Sequence, residues 1–322
     1  MRSIVILAIG FCALCAHGSY AQEYPARPVR IVVPFAANGP ADIIARIAGQ
    51  KMMIPLGQQA ILDNRAGAGG LVGAEYVAKS APDGYTLLLC GSGVMAINPN
   101  LERNLPYDPI HDFAPIANVA SFPSLLVVHP SLPVNSVKEL IALAKSKPNQ
   151  LNFGSAGPGS NSHLSGELFK TMAKVQLTHV PYKGMPQAEI DAIAGQVQIL
   201  FESIPGALPL VKAGRLHALG ISTLSRSPLV PNIPTISESG VANYSMVTWQ
   251  GFCAPAATSS SIVEKLNKEL VRAVKDKELV ERFAGLGASP IGNSPEAFRD
   301  FIGKELKQMQ GLIKDSGLKI QQ

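Results

Sequence analysis

Residues 29–53 read VRIVVPFAANGPADIIARIAGQKMM and predict a strand, a short loop and a helix in direct succession. The segment Val29–Val33 is apolar except for one arginine, and its β-branched content is typical of a buried strand. Pro40 stands at a helix start, where a missing N–H costs nothing, and a helix follows over residues 41–53. A strand that leads directly into a helix is the repeating unit of α/β proteins.

The same alternation continues through most of the chain. Further strands are predicted at residues 85–90, 125–128, 150–153, 177–180, 197–201 and 216–221. Helical patterns lie between them, and one opens with Ser136 and Glu139 in the spacing of a capping box. The predicted fold class is therefore α/β, with parallel sheets that helices cover on both faces.

The C-terminal part is mostly helical. Ser261 and Glu264 form a second capping box, and Ser294-Pro295 opens a last long helix. One short strand is predicted near residues 289–291. Because so few strands cannot build a third α/β domain, we expect these helices to return to the first sheet and make that domain discontinuous.

The N-terminus has the parts of a secretory signal. Arg2 is positive, residues 4–16 form an apolar run too short to anchor the chain, and small residues at Ser19 and Ala21 precede Gln22. We therefore predict a signal peptide over residues 1–21, cleavage near Ala21 and a periplasmic location. The alternative is a first core helix of the mature chain.

Four cysteines divide into two pairs. Cys12 and Cys15 lie in the predicted signal, where the large residues before them disfavour a lipoprotein site. The other two, Cys90 and Cys253, have neither metal-binding nor redox spacing. An oxidising compartment permits a disulfide between them, but we expect buried, unpaired thiols.

The composition excludes several classes of protein. With 47% hydrophobic and 16% charged residues, the chain is typical of a globular protein. The net charge of +5 is mild and no block of Lys or Arg accompanies it, so we expect no nucleic-acid partner. No second run of about 18 apolar residues follows the signal, so the mature chain is predicted to have no membrane span.

The loop after the first predicted strand is a candidate anion site. Ligands of open α/β sheets usually bind at the carboxyl ends of strands. A helix N-terminus presents unpaired N–H groups and a partial positive charge, and Gly39 permits close approach to the backbone. The alternative is an ordinary strand-to-helix turn.

Three later segments also join strand ends to loops. Residues 152–163 repeat the pattern, and two helix N-termini facing one another would suit a ligand with a carboxylate at each end. Residues 65–73 are glycine-rich but fail the dinucleotide pattern at Val72, which predicts a loop that lets another segment approach. Residues 179–184 include Lys183, either a ligand contact or a solvated surface lysine.

Enzymatic motifs are missing from the sequence. Ser92 and Ser155 lack the glycine that a nucleophile elbow requires two residues before the serine, and the histidines show no metal-binding spacing. We therefore expect no catalytic residue, no metal and no cofactor. A catalytic triad assembled from distant residues stays an alternative.

In this order the segments resemble the periplasmic solute-binding proteins of tripartite tricarboxylate transporters, the Bug receptors. The resemblance covers essentially the whole mature chain and rests on PFAANGPAD (34–42), NRAGAGG (64–70), SAPDGYT (80–86), NFGS (152–155), HL (163–164), VPYKG (180–184), PTISESG (234–240) and WQG (249–251). It implies a two-lobed, type II-like periplasmic binding protein whose hinge is two crossover strands, near residues 122–127 and 246–254. Lobe 1 would be residues 22–122 and 248–322, and lobe 2 residues 123–247.

The resemblance also implies a ligand site. In the family the first loop holds one ligand carboxylate, which implicates Phe35, Ala37, Asn38, Gly39, Ala41 and Asp42. Residues after later strands are expected to line the rest: Ser92, Ser155, Gly157, Ser160, His163, Lys183 and Gly184. An acid beside a bound anion repels it, so Asp42 fits this set only if it fixes the loop.

Two positions depart from the common pattern of the family. Asn38 stands where many members have glycine, so its amide would add a donor to the first loop. Glu202 stands at a strand end where many members have aspartate. A buried carboxylate facing the cleft would favour a ligand amine or hydroxyl over a second bare carboxylate. A structural hydrogen-bond acceptor is the alternative for Glu202.

The expected function is capture of a small organic carboxylate by a monomer that delivers it to membrane permease subunits. A di- or tricarboxylate, an acidic amino acid and an aromatic acid all stay open as ligands. One alternative is a ligand-sensing receptor for a membrane sensor, which would use the same fold and site. Another is a periplasmic hydrolase or isomerase.

Overall fold

The structure is a computed structural model that describes residues 24–35, 37–182 and 184–316. The predicted signal peptide lies outside the described residues. Within the described ranges, no helix combines the length and the apolar character needed to cross a membrane.

The described part of the chain contains ten strands. They are β1 (Val29–Val33), β2 (Ala60–Asn64), β3 (Thr86–Gly91), β4 (Phe113–Val128), β5 (Asn152–Ser155), β6 (Thr178–Pro181), β7 (Ile199–Ser203), β8 (His217–Ile221), β9 (Val247–Pro255) and β10 (Ser289–Pro290). The strand predicted at residues 125–128 is the last part of β4, which has 16 residues.

Ten α-helices connect or follow these strands in the same ranges. They are α1 (Pro40–Met53), α2 (Leu71–Ala78), α3 (Asn98–Leu101), α4 (Val137–Ser146), α5 (Asn161–Ala173), α6 (Met185–Ile193), α7 (Ile204–Lys212), α8 (Ser260–Ala273), α9 (Lys277–Gly285) and α10 (Pro295–Ser316). One bond of the capping box predicted at the start of α4 is present, since Oγ of Ser136 accepts from the N–H of Glu139 at 3.2 Å. Oε2 of Glu139 accepts from the N–H of Asn135, one residue before the N-cap.

The strands form two parallel groups joined by antiparallel strands. β1 pairs in parallel with β2 and β3, and β5 pairs in parallel with β6 and β7. β9 and β4 lie between the groups and pair with each other in antiparallel fashion. Each parallel group with its helices is one α/β lobe, so the predicted fold class is confirmed.

β4 changes its partners part of the way along. From Phe113 to Pro123 it pairs with β9, and from Ser124 to Val128 it pairs with β7 and β8. β9 begins opposite Pro123, at Val247, and pairs with β3 on its other side. β4 and β9 are therefore the two strands that cross at the junction of the lobes.

The register also determines which strand ends meet at this junction. β7 runs antiparallel to β4, and its last residue, Ser203, pairs with Ser124. β3 runs antiparallel to β9, and its last residue, Gly91, pairs with Gln250, which in turn pairs with Ala120 of β4. The carboxyl ends of β3 and β7 therefore point towards each other across the junction.

The C-terminal helices pack differently from one another. Leu266 of α8 lies in one buried cluster with Ile31 of β1, so α8 covers the first sheet. Phe298 of α10 packs with Trp249 of β9 in lobe 1. Further along α10, Met309 is buried in the core of lobe 2. The last helix therefore contacts buried clusters of both lobes.

The prediction of unpaired thiols was wrong, because Cys90 and Cys253 form a disulfide. Cys253 pairs directly with Leu88 in the β3–β9 ladder, and Cys90 lies two residues further along β3 on the same face. This brings the two Cα atoms to 5.9 Å, although 163 residues separate the cysteines in sequence. A pairing that depends on the register of distant strands leaves no local signal in the sequence.

Candidate functional site

The helix that follows the first loop begins without a side-chain cap. Gly39 is the N-cap residue of α1, with an extended backbone at φ −81° and ψ 170°, and no side chain bonds the first-turn amides. Pro40 has no N–H, so Ala41 and Asp42 carry the first amides of the helix. These donors and the positive end of the helix dipole favour an anion at this position.

The side chain of Asp42 holds the first loop, between β1 and α1, by hydrogen bonds. Its side chain is 1% exposed and accepts from the N–H of Asn38 at 3.2 Å, from Nδ2 of Asn64 at 3.0 Å and from Arg46 at 3.3 Å. Asn64 also donates to the carbonyl of Phe35 at 3.1 Å. Burial alone would raise the pKa of Asp42, but these hydrogen bonds hold it below its ordinary value. The carboxylate is thus bonded to the loop itself.

The rim of this loop is open. Phe35, Ala37 and Asn38 are exposed. Asn38 has a left-handed backbone with φ 65°, a conformation that asparagine tolerates better than most residues. The loop therefore presents its backbone and the Asn38 side chain outward.

Glycines let a second loop pack against the first. A Cβ at Gly73 would lie 2.9 Å from Cα of Pro34, and one at Gly70 would lie 3.3 Å from Cβ of Pro34. The glycine-rich segment thus allows close approach of another segment, as the sequence predicted. Ser92 follows β3 nearby in the same lobe and is buried.

The loop after β5 starts its helix in the opposite way, with internal hydrogen bonds. Oγ of Ser160 caps α5, accepting from the N–H of His163 at 3.3 Å and donating to the carbonyl of Gly157 at 2.6 Å. The N–H of Gly157 donates to Oγ of Ser155 at 3.1 Å, and that of Gly159 to Nδ1 of His163 at 3.1 Å. Four predicted residues, 155, 157, 160 and 163, are thus joined in one network.

Two histidines stack beside this loop. The ring centroids of His163 and His179 are 3.9 Å apart, and Phe153 stacks on His179 at 4.8 Å. Nε2 of His179 lies 2.6 Å from Oγ of Ser155. Burial lowers the pKa of both histidines to about 4. The charge of Lys170 lowers the pKa of His163 further, and the neighbouring His163 does the same for His179. Both rings are therefore neutral at pH 7.

A cavity of about 370 Å³ lies at the junction of the lobes. The crossover strands, the start of α5 and the end of β7 form its wall. Its polar lining includes Ser124, Ser160, Asn161, Glu202, Ser203 and Thr248. Two predicted residues, Ser160 and Glu202, therefore share one cavity. The described residues of the first loop lie in the other lobe and do not line it.

Glu202 is the second-last residue of β7 and lies at the wall of this cavity. It is 4% exposed, and its Oε1 accepts from both the N–H and the hydroxyl of Ser203 at 2.7 Å. Its other oxygen, Oε2, is buried and has no hydrogen-bond partner among the described residues. Burial and the neighbouring carboxyl of Glu189 raise the pKa of Glu202 to about 7.

Sequence reasoning missed two asparagines that the structure places in these loops. Asn64 holds the first loop together with Asp42. Asn161 lines the cavity, and its Nδ2 is buried without a hydrogen-bond partner in the described part of the chain. Both lie in segments that the sequence had singled out, but an asparagine at a strand end or in a first helical turn is more often solvated.

Of the remaining predicted positions, Gly184 lies at the start of α6. Gly184 is the N-cap residue of that helix, which has no side-chain cap. Lys183 lies outside the described residues. Within the described ranges, no group of three or more His, Cys, Asp or Glu side chains is placed to hold a metal ion.

Two α/β lobes joined by crossover strands, with strand ends that face each other at the junction, define the class of two-lobed ligand-binding proteins. Known proteins match the chain along most of its length. Residues 44–318 match the tripartite tricarboxylate transporter family receptor. Protein BugT of Bordetella pertussis is 36% identical over 301 residues, which cover 93% of this chain and 92% of BugT.

Solved structures agree with this match. An R. palustris protein with adipate is 37% identical, covers 92% of this chain and 99% of its own, and has a TM-score of 0.72. MatC from Rhodopseudomonas palustris with bound malate is 33% identical, covers 90% of this chain and 100% of its own, and has a TM-score of 0.68. The chain belongs to the tripartite tricarboxylate transporter receptor family, as the resemblance predicted, and this is a family of solute-binding receptors.

Proposed function

We propose that the chain is a periplasmic receptor that closes on a small organic carboxylate and passes it to the membrane permease subunits of a tripartite transporter. The uncapped N-terminus of α1 carries this proposal, because its free amides and helix dipole suit a carboxylate. The adipate and malate bound by the two related structures are both dicarboxylates.

The proposed closure uses β4 and β9 as its hinge. We place the lobe boundaries at residues 122/123 and 247/248, next to the point where β4 exchanges β9 for β7 and β8. Rotation there would bring the N-terminus of α1 towards the cavity at Ser160 and Glu202. Because Phe298 and Met309 of α10 are buried in different lobes, we expect this helix to limit the rotation.

The proposal treats the protein as a monomeric receptor without a catalytic residue or a cofactor. Export to the periplasm depends on cleavage near Ala21, which N-terminal sequencing of the mature protein would test. The network around Ser155 and His163 gives the second lobe a rigid loop and needs no chemical step.

A ligand panel tests the function. The purified mature protein would be mixed with mono-, di- and tricarboxylates, acidic amino acids and aromatic acids, and its thermal unfolding measured. A ligand present at 100 times its dissociation constant is expected to add about 2.7 kcal/mol to the free energy of unfolding. Native mass spectrometry would show the ligand bound unchanged. If only a neutral sugar or an organic cation stabilises the protein, the proposal is wrong.

A further inference from the structure

Two buried polar atoms in the junction cavity have no hydrogen-bond partner among the described residues. Oε2 of Glu202 accepts no bond, and Nδ2 of Asn161 donates none. The other ends of both side chains are held, since Oε1 of Glu202 accepts from Ser203 and Oδ1 of Asn161 accepts from Ser124 at 3.4 Å. Burying an unpaired acceptor and an unpaired donor costs free energy. A ligand group in the cavity would supply both partners.

A second carboxyl group lies beside Glu202. A Cβ built on Gly206 would lie 2.7 Å from Oε1 of Glu202 and 3.0 Å from Oε1 of Glu189, so the two acids converge on the start of α7. Like charges at this distance disfavour double ionisation, and either a proton or a cation relieves the repulsion. Of the two acids, Glu202 lines the cavity, and it disfavours an anion there.

Other charged groups near β7 are engaged with different partners or distant. The elements packed against β7 are β4, β5, α5, α6 and α7, and β4 and β5 carry no ionisable residue. Lys170 of α5 is paired with Glu167 at 2.8 Å, and His163 also approaches Glu167 at 3.8 Å. Asp191 of α6 accepts from the hydroxyl of Tyr182, and Lys212 lies at the far end of α7.

We propose that the cavity recognises a ligand group that donates to Oε2 of Glu202 and a neighbouring ligand oxygen that accepts from Nδ2 of Asn161. Since Glu202 is an acid and lines the cavity, the preferred donor is an ammonium group, with a hydroxyl next. The ligand is then an amino- or hydroxy-carboxylate. The inference rests on the proposed function, in which the N-terminus of α1 holds a second carboxylate at the other end of the ligand.

Matched ligands separate this inference from general carboxylate binding. Isothermal titration calorimetry on the mature protein would compare succinate with L-malate and L-aspartate, glutarate with L-glutamate, and adipate with L-2-aminoadipate. Among these three chain lengths, the one that binds best decides the comparison. At that length the amino acid is expected to bind about tenfold or more tightly than the plain diacid. Where tested, the hydroxy member should be intermediate. A plain diacid that binds equally well or better at that length overturns the inference.

The variant Glu202→Gln tests the residue directly, because it puts an amide donor in place of the free carboxylate oxygen. Affinity for the amino ligand is expected to fall about tenfold or more, while affinity for the plain diacid stays equal or rises. Glu264→Gln makes the same change on the exposed side of α8 and should alter neither affinity.

The pH dependence of binding gives a further readout. A ligand ammonium group favours ionised Glu202, so its affinity should rise from pH 5.5 to pH 8, as the carboxyl with a pKa of about 7 loses its proton. The plain diacid of equal length controls for other groups, and Glu202→Gln should remove the difference between them. If plain diacids bind tightly and Glu202→Gln leaves the ligand ratio unchanged, the inference fails and the proposed function stands. If no carboxylate of any kind binds, both fail.

Discussion

The two lobes use the same local plan, a strand, a short loop and a helix, and put it to different use. In the β1–α1 unit the helix begins at Gly39 without a side-chain cap, which leaves its first amides to an outside partner. In the β5–α5 unit Ser160 caps the helix, and neighbouring serine and histidine side chains take up the loop amides. A similar pattern thus gives one helix N-terminus whose first amides are open to an outside partner and one loop closed by its own side chains.

The two loops also differ in which residues hold them in place. The first loop is held from outside its own length, since Asn64 of β2 bonds both Phe35 and Asp42. The second loop is held mainly by residues within it and by the stacked pair of His163 and His179. What the second lobe offers a ligand is therefore the cavity side chains of Asn161 and Glu202, whereas the first offers backbone amides.

The largest predicted effect comes from closing the open site with Gly39→Val. The backbone of Gly39 has φ −81° and ψ 170°, which valine adopts readily, so the fold should persist. The added side chain would cover the first amides of α1. We expect carboxylate affinity to fall at least about 100-fold, which corresponds to about 2.7 kcal/mol of binding free energy. Calorimetry with the best ligand of the panel measures it.

The control for this variant makes the same substitution elsewhere. A Cβ at Gly285, at the end of α9, would contact nothing within 4 Å. Gly285→Val should therefore leave ligand affinity unchanged. Undiminished affinity in Gly39→Val would show that the first loop is structural only, and the contrast between the two loops would disappear.

The sequence predicted the strand–loop–helix units because apolar periodicity and turn residues are local signals. It also placed Glu202 at a strand end, and it put Asp42 in the ligand site on the condition that Asp42 fixes the loop. It could not predict the disulfide of Cys90 and Cys253, which depends on the β3–β9 register. Nor could it predict that Asn161 and Glu202 share a cavity, because that depends on where β4 changes partners.

A smaller effect, on stability, follows from the stacked histidines His163 and His179 beside the second loop. Their pKa of about 4 in the folded protein lies below the ordinary 6.5, so the unfolded chain binds protons first as the pH falls. Their stabilisation is therefore complete above pH 6.5 and is lost towards pH 4. At pH 5.5 each histidine should have lost on the order of 1 kcal/mol of it. The lowered pKa of Asp42 acts only below its ordinary 3.8, so the open loop does not contribute in this range.

The measurement is a difference between variants. Burial raises the pKa values of Glu202 and Glu305 to about 7, so protonation of these two groups stabilises the folded protein as the pH falls. In wild type this opposes the effect of the histidines on the free energy of unfolding. Urea unfolding of wild type and His163→Gln at pH 7.5 and pH 5.5 isolates one histidine. The difference in the free energy of unfolding between the two proteins should narrow by roughly 1 kcal/mol at the lower pH. His217→Gln, at an exposed position, should show no such narrowing. A constant gap for His163→Gln would mean that the closed loop is not sensitive to protonation.

The smallest effect tests whether Ser160 serves the fold or the ligand. Its hydroxyl both accepts from the N–H of His163 and donates to Gly157, so no hydrogen remains for a ligand. Ser160→Ala should lower the free energy of unfolding by about 1 kcal/mol, the usual loss for an N-cap. Ser136→Ala removes the matching cap of α4, away from the cavity, and should cost about the same. Ligand affinity should stay within about threefold of wild type in both variants, because lost caps act on helix stability. A tenfold loss of ligand affinity in Ser160→Ala alone would show that the second loop contacts the ligand directly, as the first loop is proposed to do.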